Sequence, residues 1–294
     1  MLGIARQARS RLPEAADRVA AFLQAQAAPD GGFRDRSGKS DLYYTVFGLL
    51  ARMAIEDGPP PPAVRQALRR YVEPFGGGGA LDFVHLSCLA RCWAIALDPR
   101  EAPDIAAGIL GRMETFRSAD GGYHATLGSA TGSVYACFLA LGTYQDLVGE
   151  VPDPDGLLRC VKSLRTEDGA FANERGLKLG LTPATAAALV LMRELGQPIP
   201  AEAAEWLWAR MHPDGGFFAT PEIPIPDLLS TATALRALAC ANVPLVGNAA
   251  DRCANFVRGL YQDGGFCGHP FDSDPDCEYT FYGLLALGLL GGQP

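Results

Sequence analysis

The chain has 294 residues, 48 % of them hydrophobic, and a formal net charge of −8. That is enough apolar material for a sizeable core in one large domain. The acid excess removes any general attraction to nucleic acid or anionic lipid, while leaving room for a local basic pocket.

The opening MLGIARQARSRLPEA is too polar for a secretory signal and reads as the start of an amphipathic helix. From there the chain repeats one design: a first helix, a DGG-type turn, a polar loop and a second helix. In unit one, Pro13 to Ala27 carries apolar residues at helical spacing, Pro29-Asp30-Gly31-Gly32 stops it, and Asp41 is placed to cap a helix from Leu42 to about Ile55. Unit two runs from Ala63, turns at Gly76 to Gly79, and resumes with Phe83 to Leu97 behind the cap Asp82. Unit three begins near Ile105, turns at Asp120-Gly121-Gly122 and resumes with Ser133 to Leu141. Unit four begins near Leu157, turns at Asp168-Gly169 and resumes after Thr182-Pro183. Unit five begins at Ala201, turns at Asp214-Gly215-Gly216 and resumes from Asp227. Unit six begins near Ala249, turns at Asp263-Gly264-Gly265 and resumes from Asp276.

The period is about 47 residues. The second helices, such as LYYTVFGLLARMAI and CEYTFYGLLALGLL, are apolar on all faces, which means burial on all sides. The first helices are amphipathic. Two concentric rings satisfy that contrast: an all-α toroid of six hairpins, inner helices parallel, forming a single domain over residues 1–294. The N-termini of the inner helices then gather at one end, where a central pocket opens. The most apolar tract, Phe281 to Leu290, is about half of the ~20 residues a membrane span needs. Eight cysteines without a CxxC pair, most of them in apolar helical runs, fit a reduced, cytoplasmic setting.

The motif DGGF, loop, D-x-x-[HY]-T-x-x-G-L-x-x-L resembles the repeat of protein prenyltransferase β subunits, with squalene and terpene cyclases as wider relatives. Asp30 to Leu50 is most similar to the last repeat of the type II geranylgeranyltransferase β subunit, and the resemblance extends from about residue 13 to 291. It implies the α/α toroid, an isoprenoid diphosphate or terpenoid in the lumen, an α-subunit-like partner or peptide acceptor, and a zinc ion holding the acceptor thiolate. The family's zinc ligands are a D-x-C pair and a histidine in D-x-x-H-T. Here those positions read Asp227-Leu228-Leu229 and Tyr279, and the position of the diphosphate-binding arginine falls on Gly132.

A displaced metal site is one way to reconcile the resemblance with these losses. Asp82-Phe83-Val84-His85 retains the histidine, and ring closure brings the sixth unit beside the first two, so Asp41, His85, Asp276 and Glu278 are the candidate zinc ligands. Asp274 and Asp276 in the DSDPD stretch are the candidate catalytic acids of a terpene cyclase-like reaction. Tyr44 and Tyr279, with Arg175 and Lys178 of the loop before the fourth inner helix, are the candidate substrate contacts. Three functions follow: a divergent prenyltransferase, a cyclase-like enzyme, or a non-catalytic toroid that binds an isoprenoid or peptide.

Overall fold

The structure, a computed structural model, describes residues 1–12 and 14–291. The expected helix start at Pro13 lies outside the described residues. After α1 (Leu2–Ala5) and a 3₁₀ turn (Arg6–Arg11), the described residues form six helical hairpins. The outer helices are α2 (Ala16–Gln26), α4 (Pro62–Val72), α6 (Pro103–Glu114), α8 (Pro154–Lys162), α10 (Ala201–Trp208) and α12 (Ala249–Gly259). The inner helices are α3 (Leu42–Ile55), α5 (Phe83–Ala96), α7 (Val134–Leu147), α9 (Thr182–Glu194), α11 (Leu228–Cys240) and α13 (Cys277–Gly291). Each inner helix packs on the next, and α13 returns to α3, so the ring is closed. The core fills the space between the rings.

The aspartates that precede inner helices are N-caps. Asp41, Asp82, Asp227 and Asp276 accept backbone N–H bonds from Tyr44, His85, Ser230 and Tyr279 at 2.7–3.1 Å. The threonine four residues after most caps is a second fastening. Thr45, Thr185, Thr231 and Thr280 are fully buried, and their hydroxyls accept the backbone N–H of Phe33, Phe171, Phe217 and Phe266 in the glycine turns. In the third unit Cys137 takes that place for Tyr123.

The glycine turns also join neighbouring units. Gly31 sits at φ +103°, and a Cβ there would lie 2.2 Å from the Ala67 carbonyl oxygen of α4. Gly264, at φ +92°, approaches the Arg18 carbonyl of α2 and so carries the same contact across the seam between the sixth and first units. The turns are hairpins too short to show a strand period: Phe33–Arg34 pairs with Ser40–Asp41, Phe217–Phe218 with Pro226–Asp227, and Tyr261–Gln262 with Gly265–Phe266.

Two sequence boundaries shift. The third inner helix continues past Leu141 to Leu147, because Thr143 is buried with its hydroxyl set between the Leu139 carbonyl and the Ser87 hydroxyl, 3.0 Å from each. The N-terminal segment is a short helix and a 3₁₀ turn lying over the C-terminal ends of α13 and α3. Arg11 donates to the last carbonyls of α13, and Gly288 leaves room for the Ile4 carbonyl. Partial desolvation, and after it the charges of Arg236 and Arg91, lower the pKa of the Met1 amine.

Candidate functional site

The inner helices present their N-terminal turns to one end of the toroid, and side chains spaced by three or four residues line the lumen below it. Tyr43 and Phe47 of α3 lie beside Tyr282 of α13, with ring centroids 4.8 Å (Tyr43–Phe47) and 5.4 Å (Phe47–Tyr282) apart. Tyr135 of α7 faces them from the opposite side of the six-membered ring. It keeps 42 % of its surface open, yet burial pushes its phenol up to about 12. An open surface on a desolvated group marks a concave wall rather than an exterior one. Tyr282 and Tyr43 are likewise only partly covered, while burial drives both phenols far above their ordinary range. These aromatics make an apolar, polarisable wall.

Glu278 is the carboxyl set in that wall. It stands one turn before Tyr282 and accepts a 2.6 Å hydrogen bond from the Tyr43 hydroxyl. Burial raises its pKa, and the Tyr43 bond only partly offsets this. A lumen carboxyl that holds its proton more tightly than usual can act as an acid.

The four candidate metal ligands do not converge. Asp41 and His85 do meet: His85 Nε2 is 3.0 Å from Asp41 and Nδ1 is 2.7 Å from Asp82. Both ring nitrogens face carboxylates, so the geometry suits an imidazolium donating twice. Burial works against that charge, but the two carboxylates prevail and raise the His85 pKa. Asp276 is engaged elsewhere, accepting from Arg36 Nε at 2.8 Å, and Arg36 also grips Asp272 at 2.8 Å. Glu278 is held by Tyr43. Among the described residues no group of three His, Cys, Asp or Glu side chains is arranged to hold a metal ion. The family positions offer Leu229 and Tyr279, neither of which supplies the expected sulfur or imidazole. The donor set does not fit the implied zinc.

Other sequence candidates are placed as follows. Asp274 is exposed on the loop before α13, outside the lumen, so the dry environment an acid needs belongs to Glu278 instead. Asp276 is 5 % exposed and its pKa is raised by burial, with the Tyr279 N–H and Arg36 pulling the other way. Tyr44 and Tyr279 flank this seam. Burial, with Asp276 and Glu278 nearby, pushes Tyr44 up to about 12, and the Arg36 guanidinium lies 5.6 Å from the centre of the Tyr279 ring. Arg175 turns outward to Ser163 at the end of α8, and Lys178 is exposed beside it. Gly132 is packed under Cys160, and its N–H donates to Asp120, so no arginine could stand there. The sequence reading missed Arg36, and it missed Arg91–Asp146 and Arg236–Glu194 near the far end. Arginines inside otherwise apolar inner helices were the available signal for the last two pairs.

A family model, the prenyltransferase alpha-alpha toroid domain, matches residues 13–71, 85–181 and 179–293. The chain belongs to that family. No curated protein sequence matches it. Candida albicans protein geranylgeranyltransferase-I complexed with GGPP is similar in structure, with a TM-score of 0.75 at 14 % identity over 93 % of this chain and 90 % of that one. A variant of the type II terpene cyclase MstE from Scytonema, in complex with geranylgeranyl dihydroxybenzoate, superposes with a TM-score of 0.63 at 15 % identity over 99 % and 98 % of the two chains. The GH76A alpha-1,6-mannanase from Salegentibacter sp. HEL1_6 reaches 0.61 at 11 % identity over 94 % and 98 %. At these identities the likeness is one of fold, and the toroid carries different chemistries in these relatives.

Proposed function

We propose that this family member binds a terpenoid chain in its lumen and that Glu278 is the acid that acts on it. The observation that carries the reading is the placement of Glu278: a raised-pKa carboxyl beside the partly open faces of Phe47, Tyr135 and Tyr282. A protonated carboxyl next to a double bond can form a C–H bond to it, leaving a carbocation on the chain and a carboxylate on Glu278. The Tyr43 hydroxyl already donates to that carboxylate, and aromatic faces stabilise the cation. Loss of a proton from the cation to water gives the product alkene, and uptake of a proton from water by the Glu278 carboxylate restores the acid and completes the cycle.

Terpene cyclase-like chemistry is favoured over prenyl transfer from a diphosphate by the state of the basic groups. Arg36 is already clasped by Asp272 and Asp276, Arg175 points outward, and Gly132 has no side chain. A terpenoid without a diphosphate therefore suits the lumen better. The MstE complex with geranylgeranyl dihydroxybenzoate gives a relative with a ligand of that kind.

The test is binding and turnover of geranylgeranyl dihydroxybenzoate, followed by fluorescence titration and product analysis. Wild type should bind saturably and convert the ligand. Glu278→Gln should keep the affinity within about threefold and lose turnover by at least about a hundredfold, the scale of general acid catalysis. Equal turnover in the two proteins removes Glu278 from the reaction. Binding without turnover in wild type leaves the lumen as a terpenoid carrier.

A further inference from the structure

We infer that the lumen mouth carries a rim that docks on the interfacial region of a zwitterionic lipid bilayer. The loops that lead into α7, α9, α11 and α13 expose Leu127, Leu177, Leu179, Ile223, Ile225 and Phe271. Their open fractions run from 37 % for Ile225 to 79 % for Phe271. Most of the exposed large hydrophobics of the described chain are in these loops, all at the end where the lumen opens. The equivalent loops of the first two units are polar, FRDRSGKSD and GGGGALD. Apolar side chains gathered on one edge of a water-exposed surface mark an interaction site, whereas scattered ones do not.

The loops form one connected edge. The backbone N–H of Val134 and Tyr135 at the start of α7 donates to Asn173 of the next loop. Thr182 at the start of α9 donates to Phe218 and Ala219 of the following one, and Leu228 of α11 donates to Gly268. Two of the tips are also braced from within. The Thr220 hydroxyl accepts from the N–H groups of Glu222 and Ile223. Asp272, next to Phe271, accepts from Gly268 and from Arg36. The open fractions of these side chains show that they stand off the protein surface rather than packing back onto it.

The form of the rim selects the occupant. Single aliphatic and aromatic tips on separate loops penetrate a fluid interface, whereas a protein partner calls for a continuous complementary surface. Arg175 and Lys178 stand beside Leu177 and Leu179, and Glu174, Glu222 and Asp274 are exposed in the same loops, so the rim carries both signs of charge, as do zwitterionic headgroups. The overall charge of −8 opposes adsorption to an anionic bilayer, which leaves a zwitterionic one. Docking in this pose places the lumen mouth against the phase in which a terpenoid dissolves. Only this last benefit rests on the lumen reading.

The experiment is co-sedimentation with phosphatidylcholine vesicles containing no terpenoid, so a failure of the lumen reading leaves the result unaffected. Wild type should partition to the vesicles. The variant Leu177→Ser/Leu179→Ser/Ile223→Ser/Ile225→Ser, with unchanged circular dichroism and melting temperature, should partition at least about tenfold less, as expected for losing buried apolar contacts at an interface. In a second variant, Phe271→Trp, the emission should shift to the blue on vesicle addition. Wild type that stays in the supernatant, or a variant that partitions equally, overturns the proposal. So does a wild-type dimer in sedimentation velocity that the quadruple variant abolishes while neither binds vesicles, because the rim is then a contact between copies.

Discussion

Replacing Arg36 with Met removes the clasp that joins the first unit to the last. Arg36 holds Asp272 and Asp276 at 2.8 Å each; Asp276 is nearly fully buried and Arg36 is partly exposed. An exposed pair is worth less than about 1 kcal/mol, while breaking a buried one costs about 3–5 kcal/mol. The intermediate exposure of Arg36 points to a loss of about 2 kcal/mol at pH 7, or roughly 3 °C in melting temperature for a domain of this size. The pH dependence is the sharper check. Burial tends to raise the Asp272 pKa, but Arg36 and the N–H groups of Gly268 and Asp274 win and hold it at about 2. A depressed carboxylate contributes stability above its unfolded pKa, and that stability is lost as pH falls from about 4 toward 2. Asp276 is raised by burial, so without Arg36 it takes up its proton at a still higher pH and relieves the unpaired charge. The deficit of the variant should therefore be largest at neutral pH and shrink as pH falls to 4. Urea denaturation followed by circular dichroism at pH 7 and pH 4 measures it, and Arg36→Met/Asp276→Asn should recover part of the loss. A deficit below about 0.5 kcal/mol at pH 7, or one of equal size at both pH values, would refute the reasoning.

The raised pKa of His85 means that its ion pairs with Asp82 and Asp41 are fully present below the unfolded value of about 6.5 and are lost as pH rises through the folded value. Wild type should accordingly lose stability through that window, and His85→Asn should lose none, as read by thermal melts between pH 5.5 and 8.5. Thr231→Val removes the acceptor of the Phe217 N–H and should cost about 1–3 kcal/mol in urea denaturation, with Thr231→Ser close to wild type. Gly215→Ala sets a Cβ 2.2 Å from the Arg252 carbonyl at φ +100° and should lower the melting temperature more than Gly128→Ala, which meets nothing within 4 Å. The carboxyl stretch of Glu278, isolated by difference infrared spectroscopy against Glu278→Gln, should titrate above the ordinary glutamate range.

The ring was legible in the sequence because each unit announces itself locally. The turn glycines, the capping aspartates and the all-apolar second helices lie within one period, and the structure keeps them in phase. The threonine after most caps was visible as part of a motif, but its role as acceptor for the turn N–H needed the folded unit. The site was less legible because its pairings cross the seam. Arg36 and Asp276 are 240 positions apart, and Tyr43 and Glu278 are 235 apart. Which carboxylate meets which donor there depends on loop conformation and register that no periodicity encodes. His85 and Asp41 were anticipated together because they belong to adjacent units. Asp82, the cap three residues before His85, takes the second imidazole nitrogen, a pairing set by side-chain rotamers rather than by spacing. The apolar tips of the later loops went unnoticed because helix patterning says nothing about loops.

The N-terminal segment also bears on how the ring stays shut. α1 and the 3₁₀ turn lie over the ends of α13 and α3, so the joint between the last and first units is strapped at that end, while Arg36 clasps Asp272 and Asp276 across the same joint at the other. A ring opens at its weakest joint, and here the one joint between units that are not consecutive in the chain is fastened twice.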